Sequence, residues 1–215
     1  MAKSSDPLEV VRTFTQSTPE RLRAMADALL DIEEDNIPGD VVEVGVGRGG
    51  NIMLARMLAP SRECWLYDTF DGMTEPDPDL DVKVHGAPFR AIDKYNWKKA
   101  RGLKWCIYPL EGVRQAFRDT HISMDRMHFI VGPVEETIQG KAPNQIALLR
   151  LDVDWHKPTK AAIERLYPLL SPSGFLIVDD YGHWRGCRQA VDEYFGEAVP
   201  PWEDVDYTCR VFRKC

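Results

Sequence analysis

An α/β fold, with a doubly wound and mostly parallel sheet and helices on both faces, is the class this chain predicts. Three observations predict it. Short apolar runs alternate with longer stretches of helical period along most of the 215 residues. A glycine turn, Gly45-Val-Gly-Arg-Gly-Gly50, joins an early apolar run to a helix. Two later apolar runs stop on acids, Asp152-Val-Asp154 and Asp179-Asp180, and sheets of this kind bind ligands beyond the carboxyl ends of their strands.

The elements follow in order. Thr18 suits a helix N-cap and Pro19 the first helical position, and Leu22, Met25, Ala26, Leu29 and Leu30 share one helical face. Pro38-Gly39 breaks that pattern. Val41 to Val44 reads as a strand interrupted by Glu43, and the glycine turn leads into a helix over about Asn51 to Leu58. A second strand, Cys64 to Tyr67, ends at Asp68. From Phe70 to about Arg101 the periodicity fades amid Pro76, Pro78 and a run of acids, which predicts an irregular lid or insertion at about residues 70–105. Helices near Gly112 to Thr120 and Val134 to Ile138 flank a strand at Met127 to Val131. A strand at Ile146 to Leu151, a helix at Pro158 to Leu170, a strand at Phe175 to Val178 and a helix at Cys187 to Phe195 complete the alternation. Tyr207 to Arg213 reads as a final strand or strand pair.

A chain of 215 residues suits one domain, residues 1–215, and is short for two enzyme domains. The net charge of -7 and pI of about 5.3 argue against a nucleic-acid backbone or an anionic membrane as partner. A small molecule is the expected partner. Cys64, Cys106, Cys187, Cys209 and Cys215 contain no C-x-x-C pair, so neither a disulfide framework nor a zinc ribbon is predicted. Met1 to Asp6 lack the apolar core of a signal peptide, and no apolar run approaches membrane-spanning length. A reducing, cytoplasmic location is expected.

Gly45-x-Gly47-x-x-Gly50 fits a nucleotide-binding turn, and it also fits any tight β-to-α turn that needs positive φ. Asp68, at the end of the next strand, is placed either to accept two ribose hydroxyls or to cap a turn. Together they favour an adenosine-containing cofactor. S-adenosylmethionine enzymes commonly write this turn acidic-x-Gly-x-Gly-x-Gly, and Glu43-Val-Gly45-Val-Gly47-Arg-Gly49 matches every fixed position. The alternative enzyme is an NAD(P)-dependent oxidoreductase, for which Tyr95-x-x-x-Lys99 has dehydrogenase spacing but lies in the irregular segment. The alternative to both is a non-catalytic binder of S-adenosylmethionine.

Asp152, Asp179 and Asp180 offer carboxylates from two strand ends, a donor set that suits magnesium and equally manganese. Gathering such groups unpaired is costly without a cation. A bound metal lowers the pKa of an acceptor hydroxyl, and Asp152 could take the proton while a sulfonium methyl is held in line. The product is a methyl ether.

Several blocks occur in one order: Glu43 to Gly50, Tyr67-Asp-Thr-Phe-Asp-Gly-Met73, Phe129 to Thr137, Leu148-Leu-Arg-Leu-Asp-Val-Asp154, and Leu166-Tyr-Pro168 through Gly174 to Tyr181. In these the chain resembles the macrocin O-methyltransferase (TylF/MycF) family, from roughly Pro38 to Tyr194. The resemblance implies a Rossmann-like fold of the class I methyltransferases, S-adenosylmethionine as donor, and magnesium at Asp152, Asp179 and Asp180. It implies Asp152 as candidate general base, Glu43 and Asp68 facing the methionyl and ribose parts, and Gly132 to Glu135 near the adenine. It also implies a sugar hydroxyl of a natural product, a glycoside, as acceptor, and a homo-oligomer, although the chain looks shorter than family members at its N-terminus, where relatives use extra helices for oligomer contacts and for closing over substrate. One departure is His156, where family members often carry Tyr. It reads as a second base, a substrate partner, or a residue that starts a helix, and His183 carries the same alternatives. Trp155 and Trp184 each follow an acidic strand end and read as an apolar wall for the acceptor.

Overall fold

Thr18 caps the longest helix as its sequence predicts: the side-chain oxygen accepts the Arg21 backbone N–H at 3.3 Å, with Pro19 in the first turn. The structure is a computed structural model and describes residues 6–215, so the leader reading of Met1 to Ser5 lies outside the described residues. The helices are α1 (Pro7–Val11), α2 (Pro19–Glu34), α3 (Gly50–Leu58), α4 (Ala91–Lys99), α5 (Leu110–Thr120), α6 (Val134–Thr137), α7 (His156–Leu166) and α8 (Arg185–Phe195). The strands are β1 (Asp40–Val44), β2 (Cys64–Asp68), β3 (Met127–Val131), β4 (Ile146–Leu151), β5 (Leu170–Val178), β6 (Glu203–Asp204) and β7 (Arg210–Arg213).

The seven strands form one sheet in the order β3-β2-β1-β4-β5-β7-β6. The first five in chain order pair in parallel, whereas β7 runs antiparallel to β5 and to β6. Strand order reverses between β1 and β4. At that switch point the loops leave in opposite directions and open a crevice at the carboxyl ends.

Residue alternation explains why both faces are covered. Val41 and Leu148 pack with Leu22, Leu29, Ile52 and Phe117 on one face, whereas Val42, Val44, Leu149 and Leu151 pack with Ile163, Leu166 and Val191 on the other. Apolar residues at every register of β1 and β4 therefore find a core. Glu43 and Arg150, on the same side as Val41 and Leu148, are the polar exceptions, and both are buried.

Three elements differ from the sequence reading. The segment after β2 is not wholly irregular: it carries α4, whose sole buried residue is Ala91, so no apolar stripe announces it. The segment is also fastened down. Val84 N donates to His183 O and Arg185 N to Val82 O, each at 2.9 Å, and Asp81 Oδ1 accepts the His156 N–H at 2.9 Å. The helix predicted over Pro158 to Leu170 begins at His156, with Pro158 tolerated in its first turn, and yields at Tyr167-Pro168 to a 3-10 turn. Leu170 then opens β5, five residues before the expected Phe175, and pairs with Ile146. The predicted terminal strand pair is present as β6 and β7.

Candidate active site

The carboxyl ends of β1, β2 and β4 border a cleft with about 760 Å³ of empty space. Gly45 and Gly47 form its floor, Asp68 and Thr69 one side, Gly132 to Glu135 the far end, and Asp152 to Trp155 the near end. Met73, Thr74, Cys106 and Tyr108, from the segment that carries α4, lie across it.

Close packing dictates the glycine turn. Gly45 has φ +89°, and a Cβ there would stand 1.9 Å from the Asp152 carbonyl oxygen, so β1 and β4 can approach only without a side chain. Gly47, at φ +55°, meets only Tyr108 Cδ2 at 3.9 Å and leaves its side of the cleft open. Asp68 reaches back across the turn. Its Oδ2 accepts Val46 N at 2.7 Å and Gly47 N at 3.0 Å, and its Oδ1 accepts Phe70 N at 2.7 Å. The structure shows Asp68 as a turn cap that also lines the cleft. At the far end, Glu135 Oε2 is buried with no hydrogen-bond partner among the described residues, and Oε1 lies 3.4 Å from Lys157 Nζ.

Beneath the near end runs a chain of charges. Arg150 Nη1 donates to Glu43 Oε1 and Asp152 Oδ2, both at 2.8 Å, and its Nη2 donates to Asp179 Oδ1 at 2.7 Å. Arg21, in the first turn of α2, donates to Asp179 Oδ2 at 2.8 Å and to Asp206 Oδ2 at 2.7 Å. Asp152, Asp179 and Asp180 each bring one carboxylate oxygen within 4.8 Å of the others. Burial pushes Glu43 up to about 8 against the pull of Arg150. Burial and the neighbouring acids likewise raise Asp180 well above the carboxylate range, and Asp154, beside Asp152, to about 7. Asp179 also rises through burial and Asp152, but two arginines oppose the shift. The cluster is a hard oxygen donor set with an excess of acid.

Other expected residues stand elsewhere. His156 does not line the cleft: it opens α7, and its Nε2 sits 3.3 Å from Glu193 on α8. His156 therefore stands outside the cleft, joining two helices. His183 lies against Trp184 and Tyr207, with Nδ1 3.0 Å from the Tyr207 hydroxyl. Trp155 lines the cleft but is otherwise buried, donating to Thr74 O at 3.2 Å, and Trp184 lies beneath it in an edge contact, ring centres 5.0 Å apart. Tyr95 and Lys99 face a separate groove on the other side of Gly72 to Thr74, outside this cleft.

Residues 6–214 match the sequence profile of the family described as Macrocin-O-methyltransferase (TylF). The chain belongs to the macrocin O-methyltransferase family. It is 36% identical over 182 residues to the 8-demethyl-8-(2,3-dimethoxy-alpha-L-rhamnosyl)-tetracenomycin-C 4'-O-methyltransferase of Streptomyces olivaceus, covering 81% of this chain and 65% of that protein. It is 31% identical over 182 residues to the mycinamicin III 3''-O-methyltransferase of Micromonospora griseorubida, covering 81% and 67% respectively. The match thus spans about two thirds of these relatives' length. The solved O-methyltransferase NovP superposes with a TM-score of 0.79 at 27% identity, over 94% of this chain and 82% of that one. A more distant fold match, TM-score 0.57 at 16% identity over 97% and 86%, is the S-adenosylhomocysteine-bound methyltransferase PaMTH1 of Podospora anserina.

In this family member the sequence reading passed over Arg150, Arg21, Ser17 and Asp206. A signal for the first was available. Arg150 interrupts the otherwise apolar Ile146 to Leu151, as Glu43 interrupts β1, and opposite charges in adjacent buried strands are tolerable chiefly as a pair. Arg21 and Asp206 lie 185 positions apart and carried no such signal.

Proposed function

We propose that this chain transfers a methyl group from S-adenosylmethionine to a hydroxyl of a sugar-bearing small molecule, with a divalent cation, magnesium or manganese, as partner. The observation that carries this reading is the meeting, at one strand-order switch point, of a glycine-floored cleft with a carboxylate cluster. Gly45, Gly47 and Asp68 fit the methionyl and ribose parts of the donor, and Gly132 to Glu135 fit the adenine, where the orphaned Glu135 Oε2 offers a free acceptor. The relatives' names, a rhamnosyl 4'-O-methyltransferase and a mycinamicin 3''-O-methyltransferase, support a glycoside as acceptor.

The donor set fits a hard cation. Asp180 Oδ2 is buried without a partner among the described residues, a cost that a cation removes, and Asp152 and Asp179 stand beside it. When bound, a divalent cation supplies positive charge that lowers the pKa of an acceptor hydroxyl. The chain's own residues do the rest. Asp152, partly exposed to the cleft, accepts the hydroxyl proton as the oxygen takes the methyl group and the sulfonium becomes a neutral thioether. Trp155 and the segment across the cleft limit water and hold the acceptor in line.

Calorimetric titration with S-adenosylmethionine, with NAD in parallel, tests the donor. Micromolar binding of the former alone is expected, and binding of NAD alone overturns the reading. Transfer to rhamnosyl glycosides, abolished by EDTA and restored by magnesium or manganese, tests the rest.

A further inference from the structure

Arg150 is 2% exposed, lies in the middle of the sheet, and touches both halves of the site. Nη1 is shared between Glu43, fully buried in β1 just ahead of the glycine turn, and Asp152, each at 2.8 Å. Nη2 is shared between Asp179 at 2.7 Å and Ser17 Oγ at 3.2 Å, just ahead of α2. Ser17 and Glu43 are joined again through Asn51, whose amide donates to Glu43 Oε1 at 3.1 Å and lies 3.4 Å from Ser17 Oγ. Of the Asp152 carboxylate, Oδ2 is held by Arg150, while Oδ1 takes no hydrogen bond among the described residues. A planar guanidinium sets four acceptors in one plane, whereas an ammonium supplies a single nitrogen and no fork.

We infer that Arg150 is the positioning residue of this site, a buried guanidinium that orders the donor-side acid Glu43 and the cation-side acids Asp152 and Asp179 as one unit. The inference rests on the functional reading above and deepens it. Donor and cation then share one ordering cost: whichever binds first fixes the array, and the second meets carboxylates already aimed. Linkage is reciprocal, so each ligand tightens the other by the same factor. The coupling passes through a chain of direct contacts, from Asn51 in the first turn of α3 through Glu43 and Arg150 to Asp179, and needs no movement of the sheet.

The test is calorimetric titration of the full chain with Mn2+, alone and with saturating S-adenosylhomocysteine, which lacks the sulfonium charge and so removes direct repulsion between the ligands. In the wild type, S-adenosylhomocysteine is expected to tighten Mn2+ at least threefold. In Arg150→Lys both affinities fall at least tenfold and the linkage disappears. Arg56→Gln, which removes another buried arginine, one that donates to the carbonyls of Arg62 and Ser123, is the structural control and lowers the melting temperature without altering either affinity. A wild type that binds both ligands with a linkage factor of one overturns the inference alone, and decides the matter even if Arg150→Lys does not fold. Wild-type affinities in a folded Arg150→Lys overturn it too. A wild type that binds neither ligand overturns the functional reading and the inference with it.

Discussion

Asp68 holds Val46: the carboxylate at the end of β2 accepts the Val46 backbone N–H at 2.7 Å and pins the glycine turn to the neighbouring strand. The same side chain accepts from Gly47 and Phe70, so three backbone donors depend on it. Asp68→Ala leaves those donors without their acceptor and is expected to cost about 1–3 kcal/mol, read as a lowered urea midpoint. Donor affinity falls at least tenfold. Asp68→Asn, which keeps one acceptor oxygen, lies between the two in both measurements, and wild-type donor affinity in Asp68→Ala would remove Asp68 from the donor site.

Gly45 and Gly47 separate a packing requirement from a ligand requirement. Gly45→Ala drives a methyl group into the Asp152 carbonyl, 1.9 Å away, at a φ that L-residues avoid. Soluble, folded protein is not expected. Gly47→Ala meets nothing nearer than 3.9 Å, so only the left-handed backbone opposes it, at about 1 kcal/mol. That variant folds, with its methyl group inside the cleft, and loses donor affinity. Comparing the melting temperature of Gly47→Ala with its calorimetric donor affinity checks the distinction.

The strands were legible because β1, β2, β4 and β5 are apolar enough to fill both cores, and their acidic ends stood out against that background. The convergence of Asp68, Asp152, Asp179 and Asp180 on the carboxyl edge followed from parallel topology alone. Helix α4 was not legible because it buries little, and a helix that lies on the surface leaves no apolar period in its sequence. His156 misled for a related reason. Position after an acidic strand end says which edge a residue occupies, but the imidazole turns along α7 toward Glu193, and only the packing of α7 on α8 decides that direction. Pairing Arg150 with Glu43 required knowing that β1 and β4 are neighbours although β2 and β3 intervene in sequence.

Asp179 and Asp180 are adjacent, yet their loss has opposite consequences for the metal-free protein. Asp179 is bonded on both oxygens, by Arg150 at 2.7 Å and Arg21 at 2.8 Å. Asp179→Asn leaves the buried Arg150 and the largely covered Arg21 short of charge and is expected to destabilise by about 3 kcal/mol. Asp180 makes no side-chain hydrogen bond among the described residues and has a buried, unpartnered Oδ2. Asp180→Asn relieves like-charge repulsion and is expected to leave stability unchanged or raise it by about 1 kcal/mol. Metal-stimulated transfer is lost in both. Urea unfolding in EDTA separates them: equal destabilisation would show that Asp180 has a stabilising partner.

Acid sensitivity is expected at Asp206. Partial burial pushes its carboxyl upward, but the N–H groups of Cys209 and Thr208 and the Arg21 guanidinium outweigh that and hold it at about 2, below its ordinary 3.8. A folded-state value below the unfolded one means stability that is fully present above about pH 4 and lost as pH falls toward 2. Asp206→Asn should therefore melt below the wild type at pH 6. The gap narrows as the pH approaches 2, where about half of the wild-type carboxylate is protonated. Because Asp206 restrains Arg21, which in turn holds Asp179, the same substitution loosens one side of the acid cluster and weakens Mn2+ binding at pH 7 severalfold. Melting curves of both proteins from pH 6 to pH 2.5 check the first effect, and a pH-independent gap would show that Asp206 acts through packing and not through its charge.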